Sequence, residues 1–384
     1  MKIKIIGSGI TGITTAYYLA KNNHEVIIYD ERRYPAMASS YANGGQISAS
    51  NSETWNSWNN VRKASNWIFK KDAPLLISLK PNIDRINWFI KFISSIPQRN
   101  VNTLKTCEMA IKANHLYNEI LNNEKIKFDI VKKGILHIYK SKNELENAII
   151  INNIYKSAGL DRWEVSPKEI KNIEPTINVK NILGGFYNTF DFTGDIHKFC
   201  IELGNVLKNK YKVKFNKIHV SNINEYIQDC DALIVCAGTG SRKIAKSIGD
   251  NLTIYPVKGY SITINNPGKS APWVSLLDDE NKIVTSRLGK DRLRIAGTAE
   301  FCGYNTDIRW DRIRPLIRWC EKIFPNINTE DIKPWAGLRP MTPNMMPIIK
   351  QSKKNNKVYY NTGHGHLGWT LSAYTARQIS KYFN

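Results

Sequence analysis

Cysteine, acidic side chains and long apolar runs are what this sequence is short of. Six cysteines stand in 384 residues, and none forms a Cys-x-x-Cys pair or joins histidines at metal-ligand spacing. That excludes zinc and iron–sulfur centres and leaves free thiols in a reducing compartment. No apolar stretch approaches the length of a bilayer span, and "MKIKIIGSG" enters a strand with no signal-like segment before it. The expectation is a cytoplasmic protein, at most peripheral on the inner membrane. Acids are outnumbered, 33 Asp and Glu against 55 Lys and Arg, for a formal charge of +22. Such a field attracts nucleic acid, anionic membrane or acidic small molecules. The lysines are spread along the chain, as general surface residues are, and no nucleic-acid partner is expected. Internal repeats and low-complexity linkers are absent as well.

What the chain does have is two glycine clusters, one near each end. The first, Gly7, Gly9 and Gly12 in "GSGITG", follows the short apolar strand "KIKII" and opens a helix, "ITTAYYLAKNN". A second strand, "HEVIIYDE", then ends in Asp30. Strand, G-x-G-x-x-G, helix, strand and acid in this order form the dinucleotide fingerprint. Gly7 permits the turn, Gly9 lets the backbone approach a pyrophosphate, and Gly12 lets helix and strand pack closely. The helix N-terminus offers free N–H groups to the phosphates, and Asp30 can accept from ribose hydroxyls. NAD and FAD both suit this motif. A loop soon after it, "SSYANGGQIS", favours FAD, because Gly44 and Gly45 let backbone lie against a flat ring.

The second cluster, "NTGHGHLGWTLS" at 361–372, is again strand, glycine-rich turn and helix. The N-terminus of that helix would stabilise negative charge on an electron-rich ring. Between the clusters, residues 105–123 and 142–158 read as helices, and 134–140 and 184–196 as strands. Residues 231–241, "DALIVCAGTGS", read as a buried parallel strand ending at a ligand crevice. The expected class is α/β: a discontinuous Rossmann-type domain (1–95, 190–255 and 330–384) interleaved with an antiparallel-sheet substrate domain (96–189 and 256–329).

"GSGITGITTAYYLAKNNHEV", "ANGGQIS", "YPVKGYSITI", "AGLRPMTP" and "NTGHGHLGWT" together resemble the bacterial FAD-dependent D-amino acid dehydrogenases, within the amine-oxidising flavoproteins that include glycine oxidase, sarcosine oxidase and D-amino acid oxidase. The resemblance runs from residue 1 to the C-terminus. It implies oxidative deamination of a D-amino acid to a 2-oxo acid and ammonia, by hydride transfer from Cα to flavin N5. Electrons would pass to a quinone or another carrier. It further implies FAD contacts from Gly7, Gly9, Ile10, Thr11, Gly12, Asp30, Glu31, Arg32, Ser39, Asn43, Gly44, Gly45, Gln46, Val220, Ala237, Gly238 and Gly337. Gly365, His366, Leu367, Gly368, Trp369 and Thr370 would surround the ring. No cysteine accompanies these ring loops, so FAD is expected to be non-covalent. A glycine, sarcosine or D-proline type of flavin oxidoreductase shares the pattern, and more distantly a tRNA-modifying flavin oxidase.

The chemistry asks for a held carboxylate, a neutral amine and a Cα–H aimed at the flavin. Arginine grips a carboxylate with two parallel donors, and Arg339, stiffened by Pro340 and Pro343, is the candidate. Tyr260 is a second carboxylate contact by expectation, Arg287 adds charge near the pocket, and His364 lines it. In residues 66–99, Trp67, Phe69, Trp88, Phe89 and Phe92 interleave with Lys70, Lys71, Arg85 and Lys91. That pattern is what a helix at an anionic membrane surface uses, and equally what a helix pair packed on the substrate domain uses.

Overall fold

A strand buried on both faces must be covered on both, and Ala232–Val235 and most of Lys2–Ile6 are such strands, the second with the Lys4 ammonium donating to the Tyr226 carbonyl. In the computed structural model, which describes residues 1–67, 73–78 and 80–384, they pair in parallel, Ile3 opposite Ala232 and Ile6 opposite Val235. Glu25–Asp30 and then Lys214–Lys217 extend the sheet in parallel on one side. Val358–Thr362 joins in parallel on the other, and Ile348–Gln351 closes that edge antiparallel. Segments distant in sequence thus make one Rossmann-type sheet. The first helix, Ile10–Lys21, and the last, Gly368–Ser380, cover one face together, with Ile13, Ala16, Ala373 and Ala376 in the same core as Ile3 and Ile5. Their small residues allow close approach, and Thr14 Oγ1 donates to the Ser372 carbonyl at 3.3 Å. Ile223, Ile227, Ile244 and Leu252 cover the other face.

The second sheet has nine strands and is antiparallel except at two pairings: Ser275–Asp278 with Ile135–Tyr139, and Leu75–Ile77 with Arg292–Phe301. Tyr255–Asn265 runs along the whole of Ile332–Met341, with Val257 opposite Arg339 and Gly259 opposite Gly337. One face of this sheet packs on the helix Trp310–Ile323 through Ile262, Ile264, Ile295, Ile313 and Leu316. The other receives the 42–45 loop: Ser261 Oγ donates to the Ala42 carbonyl at 2.7 Å and Ser286 Oγ to that of Gly44 at 2.6 Å.

Hydrogen bonding divides the chain differently from the boundaries expected at 95 and 330. Ile332–Met341 and Leu75–Ile77 belong to the large sheet, not the nucleotide-binding one. The helix Arg99–Glu124 sends Leu116, Tyr117 and Ile120 into the core of the first and last helices, and Tyr117 OH donates to the Trp369 carbonyl at 2.7 Å. A strand is assigned by its partners, and the partners of 332–341 lie some 80 residues earlier in the chain.

The aromatics of the helix Ile83–Ser94 are turned inward. In the helix Ile83–Ser94, Trp88 is buried against Tyr255 and Phe301, and its Nε1 donates to the Met341 carbonyl at 2.9 Å. Phe92 stacks on Trp88. The outward residues are Ile83, Ile86 and Ile90, at 76%, 53% and 60% exposure, with Ile93 completing one stripe at helical spacing. Phe69, Lys70 and Lys71 lie outside the described residues.

Candidate active site

At the first glycine turn, Gly7 has φ +104°, and a Cβ there would meet the Cys236 carbonyl oxygen at 2.6 Å. A Cβ on Gly12 would lie 1.9 Å from the Gly7 carbonyl oxygen. Both glycines are therefore demanded by the protein's own packing. Gly9 is not: a Cβ there would meet only Ser40 Oγ, at 3.5 Å. It leaves room on the cavity side. The first helix has glycine at its N-cap and no acid in its first turn; its Ile10 N donates to Ser40 Oγ at 3.2 Å. Asp30 Oδ2 accepts from Ser8 N at 2.7 Å and Ser8 Oγ at 2.8 Å, and its Oδ1 accepts from Arg32 N at 2.9 Å. Asp30 thus braces the glycine turn while still lining the cavity with Glu31 and Arg32. A carboxylate keeps spare lone pairs for a ribose in that arrangement. Glu31 accepts from His219 Nδ1 at 2.7 Å.

At the second turn, Gly363 and Gly365 have φ +74° and +59°, and a Cβ on Gly365 would press on Met341 Sδ at 2.9 Å. The last helix begins at Gly368, without a side-chain cap and again with no acid in its first turn. Its contribution is backbone. The Trp369 ring points into the core against Phe128 and Phe199, Leu367 packs with Cys107 and Leu371, and Thr370 Oγ1 accepts from Ser48 N at 3.2 Å. His364 is buried with Nε2 2.8 Å from Thr375 Oγ1, and burial pushes its pKa down to about 3. His366 stacks on Trp55 at 4.5 Å, and its Nε2 is enclosed with no partner. Burial, then Arg339 and Lys282, push the His366 pKa down to about 3 as well. Both rings are neutral imidazoles.

The 39–46 loop closes the space between the turns. Ser39 Oγ donates to the Leu338 carbonyl at 2.5 Å, Gly45 N donates to Asn43 Oδ1 at 2.9 Å, and Gln46 Nε2 donates to Ser275 Oγ at 2.7 Å. Gly44 has no room for a Cβ, which would sit 2.8 Å from Val284 Cγ2. Gly337 has none either, because the Trp335 ring lies across it at 2.0 Å from that position. Arg339 is enclosed over Gly259, whose absent Cβ would fall 2.2 Å from Nη2. Its Nη1 donates to the carbonyls of Thr298 at 2.9 Å and Lys258 at 3.4 Å. Among the described residues no carboxylate pairs with it, and burial alone lowers its pKa to about 10.

Gly7, Gly9, Asp30, the 39–46 loop through Ser39, Asn43, Gly44, Gly45 and Gln46, the 363–370 turn, Gly337 and Arg339 line one cavity of about 880 Å³, together with Val220, Ala237 and Gly238. Two acid-free helix N-termini at one cavity, with an open Gly9 at one end and a guanidinium without an acid at the other, fit a dinucleotide and an anionic substrate beside it. Cys236 also lines the cavity; its thiol contacts Thr15 Oγ1 at 3.8 Å, and burial raises its pKa to about 12, so it stays protonated.

One expected site residue is displaced and another has its polar group committed elsewhere. Tyr260 lines the cavity, but its side chain packs toward the helix side of its strand and its OH donates to Glu300 Oε2 at 2.6 Å beside Lys258. Arg287 lies outside the cavity, stacked on Trp273 and bonded to the carbonyls of Ala271, Gly289 and Lys290. Conversely, Trp55, His137, Tyr139, Arg162, Asp279 and Lys282 line the cavity without having been singled out. They come from two loops, a strand and one hairpin turn, and no motif marks them.

Such a site defines an oxidoreductase that uses a dinucleotide cofactor. The family described as DAO, FAD dependent oxidoreductase, matches residues 2–382, and the chain belongs to it. Its cofactor is FAD. The chain is 47% identical to D-amino acid dehydrogenase 3 of Mesorhizobium japonicum, over 99% of this chain and 96% of that one. It is 33% identical to the D-amino acid dehydrogenase of Dechloromonas aromatica, over 99% and 96%. In fold it is similar to L-proline dehydrogenase from P. horikoshii, with TM-score 0.77, 15% identity and coverage of 100% and 93%.

Proposed function

We propose that this protein is an FAD-dependent dehydrogenase of D-amino acids. It removes two electrons and two hydrogens from the Cα–N bond; water then adds to the imine, giving a 2-oxo acid and ammonia. Bound FAD supplies the two-electron acceptor. Arg339 holds the substrate carboxylate with the fork that its two carbonyl contacts leave free. Lys282 and Arg339 disfavour an ammonium nearby, as they do a protonated His366, so the substrate amine is held neutral. Neutral His364 and His366 supply no imidazolium acid, and none is needed once the amine is neutral. The backbone N–H end of the last helix favours the negative charge that arrives with the electrons.

The observation that carries this reading is Arg339, a half-buried guanidinium without an ion-pair partner among the described residues, on the wall shared with both glycine turns. Handedness follows the two D-amino acid dehydrogenases. Anaerobic mixing of the yellow holoenzyme with paired D- and L-amino acids, glycine, sarcosine and D-proline tests it. Bleaching of the oxidised flavin by D-amino acids is expected; bleaching confined to L-amino acids or to secondary amines would overturn it.

Electrons leave to a quinone or another carrier, and the Ile83–Ile86–Ile90–Ile93 stripe is the membrane contact. No helix among the described residues is long and apolar enough to cross a membrane. An exposed isoleucine stripe on a chain of charge +22 suits the surface of an anionic one. Co-sedimentation with anionic vesicles should fall in Ile86→Glu/Ile90→Glu, while turnover with a soluble dye stays unchanged.

A further inference from the structure

The cavity wall beyond Arg339 carries more charge than holding one carboxylate requires. Its acids are Glu53, Glu144 and Asp279, and each has a cation. Glu53 pairs with Arg99 at 2.5 Å, Glu144 with Lys63, and Asp279 with Lys282 at 3.6 Å. Asp279 also accepts from Tyr139 OH at 2.9 Å and contacts His137 Nδ1 at 3.4 Å. On this wall, among the described residues, two guanidiniums are left without an acid. One is Arg339; the other is Arg162.

Arg162 is 4% exposed, sandwiched between the rings of Tyr155 at 4.7 Å and Phe186 at 4.8 Å. Its Nε donates to Asn152 Oδ1 at 3.2 Å and its Nη1 to the Ser50 carbonyl at 3.4 Å. Nη2 is buried with no partner, and no carboxylate pairs with the group among the described residues. Aromatic faces offset part of the cost of burying a guanidinium, but an idle charged donor costs more than a neutral one. Arg162 lines the same cavity, and hydrogen bonds lead from it through Ser50 to His137 and Asp279. Two uncompensated guanidiniums in one pocket call for two carboxylates.

We propose that the preferred substrates are amino acids whose side chain itself ends in a carboxylate, with Arg339 on the α-carboxylate and Arg162 on the distal one. This rests on the dehydrogenase reading above. In the holoenzyme, kcat/KM for D-glutamate or D-aspartate should exceed that for D-glutamine or D-asparagine by at least about tenfold, since the amide leaves Nη2 facing a poorer acceptor. Arg162→Gln should bring that ratio to about one, and Arg162→Lys should keep most of it. Glutarate should perturb the oxidised flavin absorbance at concentrations at least about tenfold lower than butyrate.

A wild-type enzyme that prefers the amide or D-alanine would overturn the proposal and leave the dehydrogenase reading intact. So would an Arg162→Gln variant that slows acid and amide alike. If no D-amino acid bleaches the flavin, the dehydrogenase reading falls, and the glutarate and butyrate titrations still decide whether the pocket takes a diacid. Should Arg162→Gln fail to fold, the wild-type ratio and the titrations decide in the same way.

Discussion

The two ends of the cavity recognise by opposite means. At the nucleotide end the protein presents backbone: glycines, helix N-termini, and one carboxylate that braces the turn. At the amino-acid end it presents side chains from strands and hairpins far apart in sequence, and their charges do the selecting. A backbone-built site is intolerant of any added atom. A site built of side chains tolerates changes of shape but not changes of charge. The predictions below test that contrast.

The largest effect belongs to Gly12. Its missing Cβ would sit 1.9 Å from backbone, so Gly12→Val should cost about 3 kcal/mol or more and yield little folded protein. Gly9→Val should behave differently, because only Ser40 Oγ lies near. The apoprotein should melt within a few degrees of wild type yet retain no flavin. Equal destabilisation of both variants, measured by thermal melts and flavin content, would erase the distinction between packing glycine and ligand glycine.

Next comes Arg339→Gln. Losing one partner of a buried charge-assisted pair costs about 2–5 kcal/mol, so kcat/KM should fall roughly 30-fold to several-thousand-fold while flavin is retained. Arg339→Lys should recover part of it. A loss of less than about fivefold would take Arg339 out of substrate binding.

A smaller effect concerns His364, whose folded pKa of about 3 lies below the ordinary value of 6.5. The unfolded chain takes up the proton first. Its contribution is therefore fully present above pH 6.5 and is lost as pH falls toward 3, at up to about 1.4 kcal/mol per pH unit. Denaturant midpoints at pH 7, 6 and 5 should decline, less steeply in His364→Asn. Parallel slopes would remove His364 as the cause.

The smallest is Tyr260→Phe. Its hydroxyl serves Glu300, which Lys258 and Arg309 also contact, so stability should drop by about 1 kcal/mol with KM for a D-amino acid unchanged within about twofold. A large rise in KM would place the Tyr260 hydroxyl on the substrate.

The contrast between the two ends also explains what could be read in advance. Gly7, Gly12, Gly363 and Gly365 are legible because each backbone constraint excludes other residues locally. Arg339 is legible through the motif around it. The partner of the Tyr260 hydroxyl, Glu300, is not legible, because sequence does not say which residues meet across a sheet. Arg162 and Asp279 carry no local signal. Nothing near Arg162 in the chain tells that its guanidinium lies between Tyr155 and Phe186, with one nitrogen idle.

By itself the sequence determined the two strand–turn–helix units, the α/β class and the cofactor type, because those rest on short-range sterics and on periodic burial. Only the tertiary structure decided that Ile332–Met341 joins the large sheet, that the aromatics of the helix Ile83–Ser94 face inward, and which cations in the pocket lack acids. Strand pairing and charge compensation are relations between segments distant along the chain, and they exist only once those segments meet.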